Sequence, residues 1–372
     1  MSKTKVVVIG GGYGGTKLIS LLSSKNFEIT LIDKNNFHYL QPEIHEFIAG
    51  YKNIEDITFN LEKFCEKHFC NFLKDEIINI DFEKKEVIGK ESSLNYDYLV
   101  VSTGAKTIFP KQIEGLRENT LDVKELSGAL HFKQKFDEFL FSKISYKKRF
   151  SIIVGGAGLS GVEIASELAF RAREAGLNRE RVRVILIEPM ESILPGMDSD
   201  LIEACKNRLN ELEIETIHGQ FISKVTKDKV ILSNDSEVNY DMFMFTAGII
   251  VNNFLSNVEV NAKNQLVVDD YLRLKGFDRE FVLGDIAEIK DKDGNFLPPT
   301  AQVAKQNAKV VAKNIESLTN GKDMLSSRDS VKGIMVALGG KYAVGKIGSI
   351  RISGYFAHLM KKLVFYIHSK VF

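Results

Sequence analysis

The chain has 372 residues, 44% hydrophobic and 27% charged, with a net charge of +1. That length allows two or three domains around a large core, and the balanced charge offers no electrostatic footprint for nucleic acid. Cys65, Cys70 and Cys205 are too few for a disulfide framework, the N-terminus enters a strand pattern at Lys5 without an apolar signal region, and no apolar run approaches the ~18 residues of a spanning helix. The expectation is a reducing, cytoplasmic location and no membrane crossing.

Val6 to Ile9 read as a short buried strand running into Gly10, Gly12 and Gly15, with a helix pattern from Thr16. The next strand pattern, FEITLID, ends on Asp33. Further on, FNLEKFCEKHFCNF reads as one helix; Cys65 and Cys70 would then point about 140° apart and remain buried free thiols. YDYLVVSTGA follows, then a polar linker, FPKQIEGLREN. Near residue 150 the opening design returns: Ile152 to Val154, then Gly156, Gly158 and Gly161, a helix pattern, and a strand VRVILIE ending on Glu188. This copy closes on YDMFMFTAGII, parallel to the first.

Glycines at this spacing let backbone N–H groups approach a pyrophosphate at a helix start, while a carboxylate ending the second strand accepts hydrogen bonds from ribose hydroxyls. One such motif is weak; two, each between strand and helix and each followed by an acid, imply two dinucleotides. The βαβ alternation implies an α/β fold of parallel, doubly wound sheets, the second unit inserted into the first. Glu188 would repel a 2′-phosphate, and the following PMESIL offers no arginine to receive one, so NADH is expected over NADPH.

The rest of the chain brings short strands (QLVVDDYL, FVLGD) and a helix from Ala301 to Leu318, with Thr300 placed as its N-cap behind two prolines. Gln302 and Gln306 lie four apart and share a helix face. Their neutral amides could hydrogen-bond a carbonyl without charging an apolar pocket, or simply face solvent. Glu163 stands in the first turn of the second copy's helix, where a carboxylate also stabilises the dipole. From Ser330 onward there are seven basic residues (Lys332, Lys341, Lys346, Arg351, Lys361, Lys362, Lys370) and no acidic one, which marks the C-terminus as a separate electrostatic object. The seven histidines show no metal spacing, and His38 and His45 read as packing or polar contacts.

GGGYGG at 10–15, NNFHYLQP at 35–42, STGA at 102–105, GGAGLSGVEIASEL at 155–168, LGD at 283–285 and PPTAQVAKQNA at 298–308 together resemble the two-dinucleotide flavoproteins, and among them the type II NADH dehydrogenases, which are single-subunit NADH:quinone oxidoreductases. The resemblance implies two Rossmann-like domains, glutathione-reductase-like, with FAD in the first cradle and NADH in the second. It divides the chain into a first FAD-binding part (1–110), an inserted NADH-binding domain (111–250), a second FAD-binding part (251–328) and a basic membrane-association region (329–372). The cofactor-binding residues it implies are Gly10, Gly12, Tyr13, Gly14, Gly15, Asp33, Lys34, Thr103, Gly104, Gly156, Gly158, Gly161, Glu188, Gly248, Gly284, Asp285, Thr300, Ala301 and Gln302. It gives Gln302 and Gln306 to the quinone and makes Glu163 a proton relay.

Sulfide:quinone oxidoreductases are similar in fold, but look for paired cysteines in the second half of the chain, where only Cys205 lies. A nucleotide sensor without turnover is the rival from another class. In GYFAHLMKKLVFYIHSKVF the apolar Ile352, Phe356, Leu359, Met360, Leu363, Tyr366 and Ile367 recur at helical spacing, with His358, Lys361, Lys362 and Ser369 largely elsewhere. Such a helix can lie peripherally on an anionic membrane, here the inner face of the cell membrane, or dock on the core or on the partner of a homodimer.

Overall fold

The computed structural model describes residues 3–22, 26–142, 149–251, 255 and 257–372, and its backbone follows one design twice. Strand β1 (Thr4–Ile9) is a β-branched run buried on both faces, as the centre of a parallel sheet requires. Helix α1 (Tyr13–Ile19) returns the chain, and β2 (Phe27–Asp33) pairs parallel with β1, Val6 opposite Ile29 and Ile9 opposite Ile32. After α2 (Ile44–Ile48) and α3 (Leu61–His68), β3 (Asn71–Lys74) joins β2, and β4 (Tyr98–Val101) joins the other side of β1. An antiparallel excursion over residues 77–95 separates β3 from β4.

Beyond α4 (Leu126–Phe141) the plan repeats with β5 (Phe150–Gly155), α5 (Leu159–Glu174), β6 (Val182–Glu188), α6 (Ser199–Glu211), β7 (Glu215–His218), an antiparallel excursion over residues 222–239, and β8 (Met242–Phe245). The second sheet has the order β7-β6-β5-β8, all parallel. The chain crosses between the sheets at Lys106–Thr107 and again at Ile249–Ile250, and the two crossings pair antiparallel. Strand β9 (Glu280–Val282) then lands beside β4 and completes the first sheet, β9-β4-β1-β2-β3. Helix α7 (Ala301–Thr319) packs on α1. The doubly wound architecture read from the repeated motifs is the one present. Less legible was α2, whose Ile44, Phe47 and Ile48 leave the first sheet to pack with Phe132 and Phe136 of α4 and Leu168 of α5.

The helix read through the cysteine pair needs a correction, although both thiols are free as expected. Helix α3 ends at His68, Phe69 adopts a left-handed backbone (φ 54°), and the Cys70 N–H donates to the Cys65 carbonyl at 3.0 Å. The chain therefore doubles back instead of continuing as helix. The neighbouring Cys70 thiol, together with burial, pushes the Cys65 thiol up.

The C-terminal region departs further from expectation. β10 (Gly333–Ala337), β11 (Ala343–Ile347) and β12 (Ile350–Ser353) form an antiparallel sheet whose Val336 and Val344 enter the core of the second unit beside Cys205 and Leu209. Lys346 pairs with Asp198, Arg351 with Asp200, Lys361 with Glu163 and Lys362 with Glu46. The tail is thus not a separate electrostatic object: more than half of its cations are matched by acids of the body.

Helix α8 (Gly354–Ser369) is amphipathic as expected, but it is turned around. Its polar side is inside, with Lys361 at 7% and His368 at 3% exposure, while Phe356 at 62% and Ile367 at 61% lie outside. Phe365, half-buried, goes with the docked side beside Lys361. No helix of the described residues is long and apolar enough to cross a membrane.

Mild oxidation of the native protein with diamide is expected to remove Cys65 and Cys70 from a denaturing thiol count, leaving Cys205 alone. Retention of all three thiols would mean that the pair is held apart in solution.

Candidate functional site

Both cradles superimpose residue for residue in their hydrogen bonding. The Gly10 N–H donates to Ile32 and the Gly156 N–H to Ile187, each at 2.8 Å, with φ 105° and 101°, a backbone that favours glycine. Gly15 and Gly161 sit where the helix crosses the first strand: a Cβ would lie 2.1 Å from the Gly10 carbonyl oxygen and 1.8 Å from that of Gly156. Gly12 and Gly158 are the opposite case, since a Cβ on either would meet nothing within 4 Å. The space in front of each helix start is open and lined by peptide groups, which fits a pyrophosphate. Ser102 Oγ braces the first turn by donating to Ile9 and Gly10, as Thr246 Oγ1 does to Gly155 and Gly156. Thr103 and Gly104 follow β4, and Gly248 follows β8, where both glycines again have positive φ. Gly14 lies at the close approach of α1 to Leu283.

The two acids are held alike. Asp33 accepts from the N–H groups of Gly11 (2.7 Å) and Asn35 (2.8 Å), Glu188 from those of Ala157 (2.7 Å) and Met190 (3.1 Å). Burial pushes the Asp33 carboxyl up against the pull of these bonds. Lys34 stands next to it, exposed. Gly284 donates to Asn307 Oδ1 of α7 at 3.0 Å, and the neighbouring Asp285 is half-buried, where desolvation raises its carboxyl against the charge of Lys124. Lys124 lies between the polar linker and α4, and nothing in its sequence context pointed to its influence on Asp285.

Thr300 caps α7 by accepting from the Val303 N–H at 3.3 Å, with Ala301 opening the helix. Gln302 and Gln306 do share a face, but their amides are engaged at both ends. Gln302 accepts from the Lys332 N–H (2.6 Å) and donates to the Gly333 carbonyl (3.2 Å). Gln306 accepts from the Ser330 N–H (3.3 Å) and donates to the Ser330 carbonyl (2.9 Å). The glutamine pair clamps the segment that leads into β10.

Glu163 is buried on α5, where its Oε1 accepts from the Ala337 N–H at 3.0 Å and pairs with Lys361; its Oε2 lies 3.9 Å from His45 Nδ1. One turn on, Glu167 accepts from the Gly340 N–H at 2.9 Å, and burial pushes its carboxyl up to about 8. His38 donates to the Gly11 carbonyl at 2.8 Å beneath the first cradle, and burial lowers it to about 4. His38, His45, Glu167, Lys361 and His368 all border the predicted site, yet sequence reading had singled out none of them for function. The histidines beside QP were the available signal. Among the described residues no cluster could hold a metal ion.

Two glycine cradles on two doubly wound sheets, each with a carboxylate held by two backbone N–H groups, match a class: oxidoreductases that hold two dinucleotides. The pyridine nucleotide-disulphide oxidoreductase family matches residues 4–308, and a type II NADH:quinone oxidoreductase of Staphylococcus aureus is 31% identical over 97% of this chain and 94% of its own; the chain belongs to that family and, within it, to the type II NADH:quinone oxidoreductases. In fold it is similar to NDH2 from Plasmodium falciparum in complex with NADH, with 21% identity, TM-score 0.87, and 98% and 94% of the two chains covered. It is as similar to the sulfide:quinone oxidoreductase of Aquifex aeolicus, with 22% identity, TM-score 0.86, and 99% and 91% covered. Fold alone therefore does not separate these activities; side chains must.

The two cradles can be broken separately. Gly161→Ala is expected to leave the protein yellow while weakening NADH by about tenfold or more, because overpacking of this kind costs about 1–3 kcal/mol. Gly15→Ala should be isolated without flavin. Anaerobic visible spectra before and after NADH read both outcomes.

Proposed function

We propose that this chain is an FAD-dependent NADH:quinone oxidoreductase, with FAD in the cradle of Gly10 to Gly15 and NADH in that of Gly156 to Gly161. The observation that carries this reading is the doubled cradle, each with an acid positioned by two backbone N–H groups. When bound, FAD takes the hydride of NADH and passes two electrons to the quinone. Asp33 and Lys34 hold the adenosine end of FAD, and the backbone of Tyr13 with Thr103, Gly104, Gly284, Asp285 and Ala301 line its remaining length. Glu188 and Gly248 hold NADH, and the Glu188 carboxylate disfavours a 2′-phosphate.

A quinol carries one proton more than the hydride supplies, so the protein must deliver one. Glu163 is placed for this, tied to Lys361 and close to His45, with Glu167 holding a proton at neutral pH one turn away. Gln302 and Gln306 act by fixing the strand that presents the Ala337 N–H to Glu163. The sulfide-linked alternative lacks its thiols: Cys205 is fully buried in α6, and burial pushes its thiol up to about 12.

The outer side of α8 supplies a membrane contact. Tyr355, Phe356, Leu359, Leu363, Val364, Tyr366 and Ile367 are all exposed on this one helix, and an apolar surface of this kind buries itself in lipid or against another chain. Lipid suits a lipophilic quinone, and cytoplasmic NADH assigns the contact to the inner face. Because much of the tail's charge is matched internally, apolar burial drives the association.

Glu163→Gln alone would strand a buried ammonium, so it is best combined with Lys361→Met. The pair is expected to keep flavin bleaching by NADH and to lose about a hundredfold in quinone turnover. Unchanged turnover with an intact flavin spectrum would remove the relay. Wild type should sediment with neutral phosphatidylcholine vesicles at low and high salt, and Phe356→Ser with Ile367→Ser should abolish it. If the variant instead shifts a dimer to monomer, a second copy is the occupant of that surface.

A further inference from the structure

Between α1 and α7 lies a group of cations that the reaction above does not use. Lys17 stands one turn beyond Tyr13 on α1, and Lys305 and Lys309, four residues apart, share a face of α7. Among the described residues no carboxylate lies within ion-pair distance of these three. Burial, and then the charges of their lysine neighbours, hold the Lys17 and Lys305 ammoniums below their ordinary range. The contrast with the tail, where Lys346, Arg351, Lys361 and Lys362 each meet an acid, is plain.

Two buried polar atoms beside this group have no partner, the Tyr13 hydroxyl and His368 Nδ1. The Tyr13 and His368 rings stack with centroids 4.4 Å apart, and Lys305 Nζ lies 5.8 Å from the Tyr13 centroid. Lys305 and Lys17 are close enough for their charges to act on His368. Neighbouring groups fix its tautomer. The Gly11 carbonyl can only accept, so His38 donates to it from Nδ1 and offers a lone pair at Nε2; His368 meets that lone pair with its own Nε2–H at 3.4 Å. The remaining nitrogen of His368, Nδ1, is an acceptor that needs a donor. The site therefore presents three ammoniums and a phenol that seek an oxyanion, and one buried lone pair that seeks a hydroxyl.

We propose that Lys17, Lys305, Lys309, Tyr13 and His368 bind a phosphate carrying a neighbouring hydroxyl, the chemistry of the glycerol headgroup of an anionic phospholipid. The phosphate oxygens accept from the ammoniums and from Tyr13, and a glycerol hydroxyl donates to His368 Nδ1. The lipid source follows from position: His368 is in the last turn of α8, beside Tyr366 and Ile367 at 58% and 61% exposure. The lipid assignment rests on the reading of that surface as membrane-facing; the phosphate chemistry does not, and glycerol phosphate in solution shares it.

The test compares wild type with Lys17→Gln/Lys309→Gln and Lys17→Arg/Lys309→Arg, each checked for bound flavin as a sign of intact folding. In co-sedimentation, wild type and the Arg pair are expected to prefer phosphatidylglycerol over phosphatidylcholine vesicles by about tenfold, and the Gln pair to lose that preference while still binding phosphatidylcholine. If wild type binds neither vesicle, the membrane reading fails. Calorimetric titration with glycerol phosphate then decides: binding to wild type that is lost in the Gln pair supports the site with a soluble ligand. A Gln pair that keeps both the vesicle preference and the glycerol phosphate affinity of wild type overturns the proposal.

Discussion

The pairing of Lys361 with Glu163 is the constraint on which the arrangement of this protein turns. Neither charge could be buried alone, since desolvation of an isolated ammonium or carboxylate costs several kcal/mol. Together they can be, and the helix that carries Lys361 must then present its polar side to the protein. The outward apolar surface of α8 follows from that choice, not from any preference of the surface itself. The same carboxylate takes the Ala337 N–H from β10, and the glutamine clamp on α7 sets the strand leading there. One acid thus ties α8 and β10, and through the clamp α7, to the helix that begins at the second cradle.

The glycine cradles were legible because their requirements are local. A backbone at positive φ and a helix crossing a strand at van der Waals distance admit only glycine, and in each copy the acid is the last residue of the next strand. Thr300 was legible for the same reason, since a cap and its N–H partner lie within one turn. What could not be read was set by partners remote in the chain. Periodicity divided α8 into two sides, but which side faces in depends on Glu163 and Glu46. The shared face of Gln302 and Gln306 was readable, whereas what it meets, the backbone of residues 330–333, was not. At Cys65 and Cys70 the error was local: a helix ended on a left-handed Phe69, where no glycine announced the stop.

A fold shared with enzymes of different acceptors cannot by itself define an acceptor. What distinguishes this chain is the chemistry on its elements: one thiol in the second half, sealed in a core, and on α5 a buried Glu167 whose carboxyl is pushed up to about 8. The near-zero net charge is also better understood as an interface than as an average. Basic tail and acidic body neutralise one another where they touch, which leaves the lysines between α1 and α7 as a local excess that no acid among the described residues answers.

The antiparallel pairing of Lys106–Thr107 with Ile249–Ile250 bears on how the chain finds its fold. Once those two crossings zip together, everything between them becomes, for the first sheet, no more than a hairpin. Strand β9 must search for β4 across a long stretch of sequence in the unfolded chain, and such non-local pairing is slow because loop closure comes first. With the second unit already folded and its two ends pinned side by side, the effective separation collapses. The inserted unit, on this view, is the folding template for the unit that encloses it.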